Sequence, residues 1–366
     1  MLWSKCQSLI VGMSLILLLS PSAEAQNSWI VATRAHWGFI IAHSKELPNV
    51  QNTHPWGVEL EWNWQLMKED AWNYCYCYPR TGASFLFINF DKPDILGRAY
   101  ASYLFIEPVL GAQKKFHLSF RFGIGPAFLD RIYDEQTNPE NTFFSTTLSF
   151  IVTLNAAMNF RIAERTNLQF AGFYNHISNG GIKNPNKGIN FPTLSLGVDY
   201  NLRPVPYTQH LKKDSSSLQP YKWRFDVVAF GAAKTDIKGH EHYLVYGLMP
   251  SVSRVIGRMS AISLALEGTV DLADKKEIER NNIEEDGRLV DHKYFAALLG
   301  HELLIGRFNF SIHFGAYLYS PFKRRNLIYE RYGLTYRVFR NIFFGTNIKA
   351  HGHVADFLDF RLGVSF

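Results

Sequence analysis

The chain has 366 residues, 47% hydrophobic and 15% aromatic, with 38 Lys and Arg against 32 Asp and Glu for a formal charge of +6. Mean hydropathy is -0.11, and past the first residues no apolar run approaches the ~20 residues of a membrane-spanning helix, so helical spans are excluded. The mild basic excess forms no stripe and carries no binding motif, which excludes nucleic acid and suits a polyanionic glycolipid surface.

In chain order, the first predicted element is a targeting segment. Lys5 is the positive n-region, Leu9 to Leu19 the apolar h-region, and Ala23-Glu24-Ala25 an A-x-A site. Together they predict a secretory signal over 1–25, removed before Gln26. Cys6 leaves with it, so Cys75 and Cys77 remain as Cys-Tyr-Cys. An exported chain permits a disulfide, although neighbours this close would close a strained ring. Two unpaired or externally paired thiols are an equal alternative.

The next elements alternate with period two, the signature of strands with one apolar face. Val58, Leu60, Trp62 and Trp64 interleave with Glu59, Glu61 and Asn63. Phe116, Leu118, Phe120 and Phe122 interleave with His117, Ser119 and Arg121, and Leu194, Leu196 and Val198 with Thr193, Ser195 and Gly197. The polar face carries charges and amides, as the lumen of a barrel would, and Glu59 and Glu61 are expected to line it. The expected strands of the first half are 29–43, 55–65, 82–90, 97–110, 116–128, 143–161, 166–178 and 190–202. Those of the second half are 222–235, 243–255, 259–272, 292–304, 307–319, 327–338, 341–351 and 355–366. All come close to the ~10 residues that a tilted strand needs to cross a bilayer, and several exceed them. The fold class is therefore an all-β, antiparallel transmembrane β-barrel in the bacterial outer membrane. A closed barrel is the only sheet that leaves no backbone edge unpaired in lipid.

With the N-terminus in the periplasm, connections 44–54, 129–141, 179–189 and 273–291 face outside, while the tight turns 111–115, 162–165, 256–258 and 305–306 face inside. Long outside and short inside is the expected asymmetry. Segment 66–80, long and inside, breaks it. The halves look duplicated: Phe116-His-Leu-Ser-Phe-Arg-Phe-Gly resembles Phe308-Asn-Phe-Ser-Ile-His-Phe-Gly, and Arg165 precedes His176 by the interval that separates Arg340 from His351. The organisation is then an eight-strand half over 27–202 with the site, a Pro/Ser/Lys-rich linker over 203–221, and a second, non-catalytic half over 222–366. Either one sixteen-stranded barrel or two eight-stranded barrels fits, and the rarity of tandem barrels tips the expectation slightly to one.

His176 and Ser178 share the parity of Leu168 and Phe170, which places an imidazole base and a hydroxyl on the apolar face. The surrounding run Phe173-Tyr-Asn-His-Ile-Ser-Asn-Gly-Gly-Ile-Lys-Asn-Pro-Asn-Lys-Gly-Ile-Asn190 resembles the active-site stretch of the PagL-type lipid A 3-O-deacylases, outer-membrane barrels that hydrolyse an ester-linked acyl chain. The resemblance implies Ser178 as nucleophile and His176 as general base, acting on lipid A of lipopolysaccharide in the outer leaflet with no metal or organic cofactor. It implies an oxyanion hole from Asn179, Gly181 and Asn186. The third family member is a glutamate where this chain has Asn190; an asparagine oxygen still orients an imidazole but lends it no charge. Lys183 and Lys187 are candidate contacts for lipid phosphates, as is Lys323-Arg324-Arg325 for anionic headgroups. His240-Glu-His242 and His351-Gly-His353 have metal-ligand types but lone His-x-His spacing, which assigns no metal. A non-enzymatic channel or structural barrel is the alternative function, and a phospholipase-like enzyme would use the same residues. Oligomeric state is not legible.

Overall fold

The computed structural model describes residues 27–41, 52–208, 210–211, 222–235, 241–322, 326–352 and 354–366. The expected signal over 1–25, most of the linker, His240, Lys323, Arg324, Arg325 and His353 lie outside the described residues.

The first-half strands are β1 (Ser28–Gly38), β2 (Trp56–Gln65), β3 (Arg80–Asn89), β4 (Arg98–Glu107), β5 (Phe116–Leu129), β6 (Leu148–Ala163), β7 (Thr166–Ser178) and β8 (Ile189–Arg203). Those of the second half are β9 (Trp223–Thr235), β10 (His242–Val255), β11 (Ser260–Asp271), β12 (Lys293–Ile305), β13 (Phe308–Tyr319), β14 (Ile328–Arg337), β15 (Ile342–His351) and β16 (Val354–Ser365). Within each half, all pair antiparallel with their sequence neighbours. Pro108 lacks the N–H that would continue β4, and only the two-residue strand Val109–Leu110 follows it against β5.

The chain closes twice, which corrects the slight preference for one sixteen-stranded barrel. β8 pairs back onto β1, with Gly197 opposite Arg34, and β16 pairs back onto β9, with Arg361 opposite Phe230. Each half thus satisfies its own edge strands and leaves no edge through which the halves could join.

Outward residues are apolar and exposed, among them Leu60, Trp62, Leu118, Phe120, Leu194 and Leu196. Inward residues are buried, polar ones such as Glu59, Asn63 and Ser119 together with apolar ones such as Phe105, Phe230 and Leu298, because an eight-stranded barrel is just wide enough for side chains to fill. In the first barrel Arg121 pairs with Glu61 at 2.8 Å and with Glu107, Arg34 with Glu61 at 2.6 Å, and Arg80 with Asp199 at 2.8 Å. In the second, Arg331 pairs with Glu267 at 2.6 Å and with Asp359, while Lys234 sits 2.6 Å from Asp271 and 3.2 Å from Asp356. These paired charges occupy the lumens.

Segment 66–80 is explained by its contacts. It forms helix α1 (Glu69–Cys75), then a Cys75–Cys77 disulfide whose Cα atoms are 5.0 Å apart around left-handed Tyr76 (φ 51°). Met67, Trp72 and Tyr78 bury against Val109 and Ala112, and Val205 and Tyr207 pack onto them from the chain after β8. The long inner connection is an apolar cap at the periplasmic end of the first barrel.

The interval shared by Arg165–His176 and Arg340–His351 hides opposite facings. β7 starts one residue after its arginine and β15 two after its own, because Asn341 intervenes. Side-chain alternation then reverses: His176 faces outward, whereas His351 is buried in the lumen, 3.3 Å from the Tyr317 hydroxyl.

Candidate active site

β7 and β8 hold the site through their register. His176 lies directly opposite Asn190, and on the other flank Val152 and Phe150 of β6 lie opposite His176 and Ser178. This parity places all three polar side chains on the outward face at the outer rim. Asn190 Oδ1 is 2.7 Å from His176 Nδ1. A carbonyl oxygen only accepts, so Nδ1 carries the proton and Nε2 is left basic. Ile41 donates to the Asn190 carbonyl at 2.9 Å and pins this end of β8 from the chain beyond β1.

Ser178 is 7% exposed and His176 is half-buried, covered by the returning loop. Gly188 closes that loop with φ 64°. A Cβ there would lie 2.8 Å from His176 Cε1 and 3.1 Å from Ser178 Cβ, so ring and hydroxyl-bearing carbon sit against the same face of its backbone. Only glycine permits both the left-handed backbone and this approach. The sequence reading assigned Gly188 no role of its own, although its place in Asn-Pro-Asn-x-Gly was the available signal.

Asn179 organises the rest of the loop. Its side chain donates to Ser145 Oγ at 3.0 Å and to the Lys183 carbonyl at 2.7 Å, and its Oδ1 accepts from Gly181 N–H at 3.0 Å. Its own N–H donates to Asn186 Oδ1 at 3.1 Å. The Asn179 and Gly181 amides are therefore engaged within the loop, while Gly180 N–H and the Asn186 Nδ2 donors have no partner among the described residues. Ser145, which also donates to the Lys183 carbonyl at 2.7 Å, lies 34 residues from Asn179 and no local pattern points to it.

Residues 143–147, expected as strand, instead fold inward. Asn141 Oδ1 accepts from Phe144 N–H at 3.2 Å, and Phe143 and Phe144 bury with Phe90, Ile177 and Phe191. This apolar plug supports the rim from the lumen side, and the loop is stitched to it by Lys187 N–H to the Thr142 carbonyl at 3.1 Å and Gly188 N–H to that of Phe143 at 3.3 Å. The Lys183 side chain is exposed and that of Lys187 half-buried. The described residues contain no cluster of three or more metal-ligating side chains.

Residues 46–199 match the family model described as Lipid A 3-O-deacylase (PagL), and residues 223–366 the one described as Acyloxyacyl hydrolase, C-terminal domain. No curated protein matches the chain. Among solved structures, the outer membrane enzyme PagL is similar with 14% identity and a TM-score of 0.34, covering 48% of this chain and 99% of that one. Neisserial surface protein A is similar with 12% identity and a TM-score of 0.30, covering 48% and 97%. A mutant porin of Rh. blastica spans 93% of this chain and 100% of its own at 8% identity and a TM-score of 0.19. The two family matches fall on the two barrels in turn, and the chain belongs to the PagL family of lipid A 3-O-deacylases, hydrolases of the bacterial outer membrane.

Proposed function

We propose that this protein hydrolyses an ester-linked acyl chain of lipid A with Ser178 as nucleophile, His176 as general base and Asn190 as the group that fixes the imidazole tautomer. The observation that carries the reading is the 2.7 Å contact from Asn190 Oδ1 to His176 Nδ1, beside Ser178 on the outward face. His176 Nε2 takes the Ser178 proton as Oγ attacks the ester carbonyl. The same proton then passes to the departing lipid A oxygen, leaving an acyl-enzyme and a free hydroxyl. Water, deprotonated by His176, cleaves the acyl-enzyme and releases a fatty acid.

Gly180 N–H and Asn186 Nδ2 are the donors best suited to the oxyanion, because the Asn179 and Gly181 amides hold the loop itself. Lys183 and Lys187 would meet the phosphates of lipid A at the rim. An outer-leaflet lipid can reach this face without leaving the membrane.

The test is the mass profile of lipid A from cells producing the wild type or Ser178→Ala, with both proteins folded in the outer membrane. Loss of one acyl chain with the wild type alone is expected. An unchanged profile with the wild type would sink the esterase reading, and an acyl loss that persists in Ser178→Ala would remove Ser178 from the mechanism. Release of fatty acid from phospholipid but not from lipid A would favour the phospholipase alternative.

A further inference from the structure

The loop that follows Ser178 touches the second barrel. A Cβ on Gly181 would lie 2.7 Å from the Asp356 carbonyl oxygen, and one on Gly180 3.2 Å from Leu358 Cβ. Both glycines have positive φ, 67° at Gly180 and 83° at Gly181. The pair therefore lets the outer end of β16 come against the loop backbone, closer than any side chain would allow. His242, the first residue of β10, adds a directed contact: its Nε2 is 3.0 Å from the Ile182 carbonyl oxygen, to which it donates.

Contacts at other depths keep this arrangement from resting on one residue. Phe122 of β5 and Phe310 of β13 meet edge to face with ring centroids 4.9 Å apart. Near the periplasmic end, Arg258 lies 3.5 Å over the ring of Tyr76 and hydrogen-bonds its hydroxyl. Tyr76 is the residue enclosed by the Cys75–Cys77 disulfide, so the small ring presents it to the second barrel.

We infer that the second barrel buttresses the oxyanion loop, with His242 as a positioning residue that holds residues 180–182 against β16 and so fixes the Gly180 amide beside Ser178. The catalytic form of the inference rests on the esterase reading; the structural form, that the second barrel orders the loop, does not. A family member with a single barrel would have to order this loop from within. Here the second barrel, whose corresponding His351 faces inward, supplies a wall.

The experiment uses the full-length protein in vesicles containing lipopolysaccharide, with released fatty acid as the readout. His242→Ala removes one hydrogen bond to the loop and should lower kcat about three- to tenfold with KM nearly unchanged. His242→Gln, which keeps an N–H donor near the Nε2 position, should recover most of that loss. Phe360→Ala, on the lipid face of the same strand β16, should leave kcat unaltered. Equal kcat for His242→Ala and wild type, or equal losses for the Ala and Gln variants, would overturn the positioning role. Amide exchange over 179–188 gives the second readout, which should be faster in His242→Ala and restored in His242→Gln. If the wild type releases no fatty acid, the esterase reading fails by itself and exchange alone decides, with unchanged protection in His242→Ala overturning the buttress.

Discussion

Asn190 accepts the imidazole N–H at 2.7 Å with an oxygen that bears no full charge. On the proposed mechanism, the two roles of a triad's third member, holding the tautomer and stabilising the imidazolium, are therefore separated. Asn190→Ala removes the acceptor that holds the tautomer and should lower kcat roughly a hundredfold, within the range by which a positioned general base contributes. Asn190→Glu restores the charge, and should raise kcat above wild type. The sign of its pH effect follows from the same charge. A carboxylate beside His176 favours the imidazolium, so the base is protonated at higher pH and the acid limb of the kcat/KM profile moves up. A pH–rate profile of fatty acid release checks both, and an acid limb that stays in place in Asn190→Glu would show that the introduced carboxylate does not reach the ring.

At the scale of strands, β5 shows how polar residues can stabilise a barrel interior. Arg121 at its centre bridges Glu61 on β2 and Glu107 on β4, all fully buried. Arg121→Met would leave two carboxylates without their shared cation, and should destabilise the first barrel by about 3–5 kcal/mol. Urea unfolding in detergent, followed by the mobility difference of folded and unfolded forms on gels, measures this. Arg121→Met together with Glu107→Gln should recover much of the loss, because Glu61 keeps its 2.6 Å pair with Arg34 and Glu107 is no longer a buried charge.

The strands themselves were legible because alternation is local: Phe116 to Phe122 or Leu194 to Val198 declare both faces within a few residues. The same local rule placed His176, Ser178 and Asn190 on one face. It failed where a contact is remote or a single residue changes the phase. Phe143 and Phe144 are apolar enough to read as strand, but Asn141 turns them into the lumen. Asn341 reverses the facing of His351. Ser145, Gly188 and the second-barrel wall at Asp356 and Leu358 act through the folded loop, which no periodicity encodes.

For the whole molecule, the consequence of closing twice is the loss of a pore. Sixteen strands in one ring would enclose an aqueous channel, whereas eight enclose little more than their own side chains. Fully buried Arg34 and Glu59 occupy the first lumen, and fully buried Arg331 and Asp359 the second. Above the first, Phe143, Phe144 and Phe191 form an apolar plug, and below it α1 and Tyr207 form a cap. An ion crossing either barrel would have to break buried ion pairs such as Arg34–Glu61 in the first and Arg331–Asp359 in the second. Reconstituted into planar bilayers, the wild type should therefore show no steady porin-like conductance. Opening both barrels would require removing buried ion pairs that also hold the strands together, so a leak that appears on mutation should come with lost stability. Regular open-channel steps from the folded wild-type protein would contradict the filled lumens and return the channel alternative to first place.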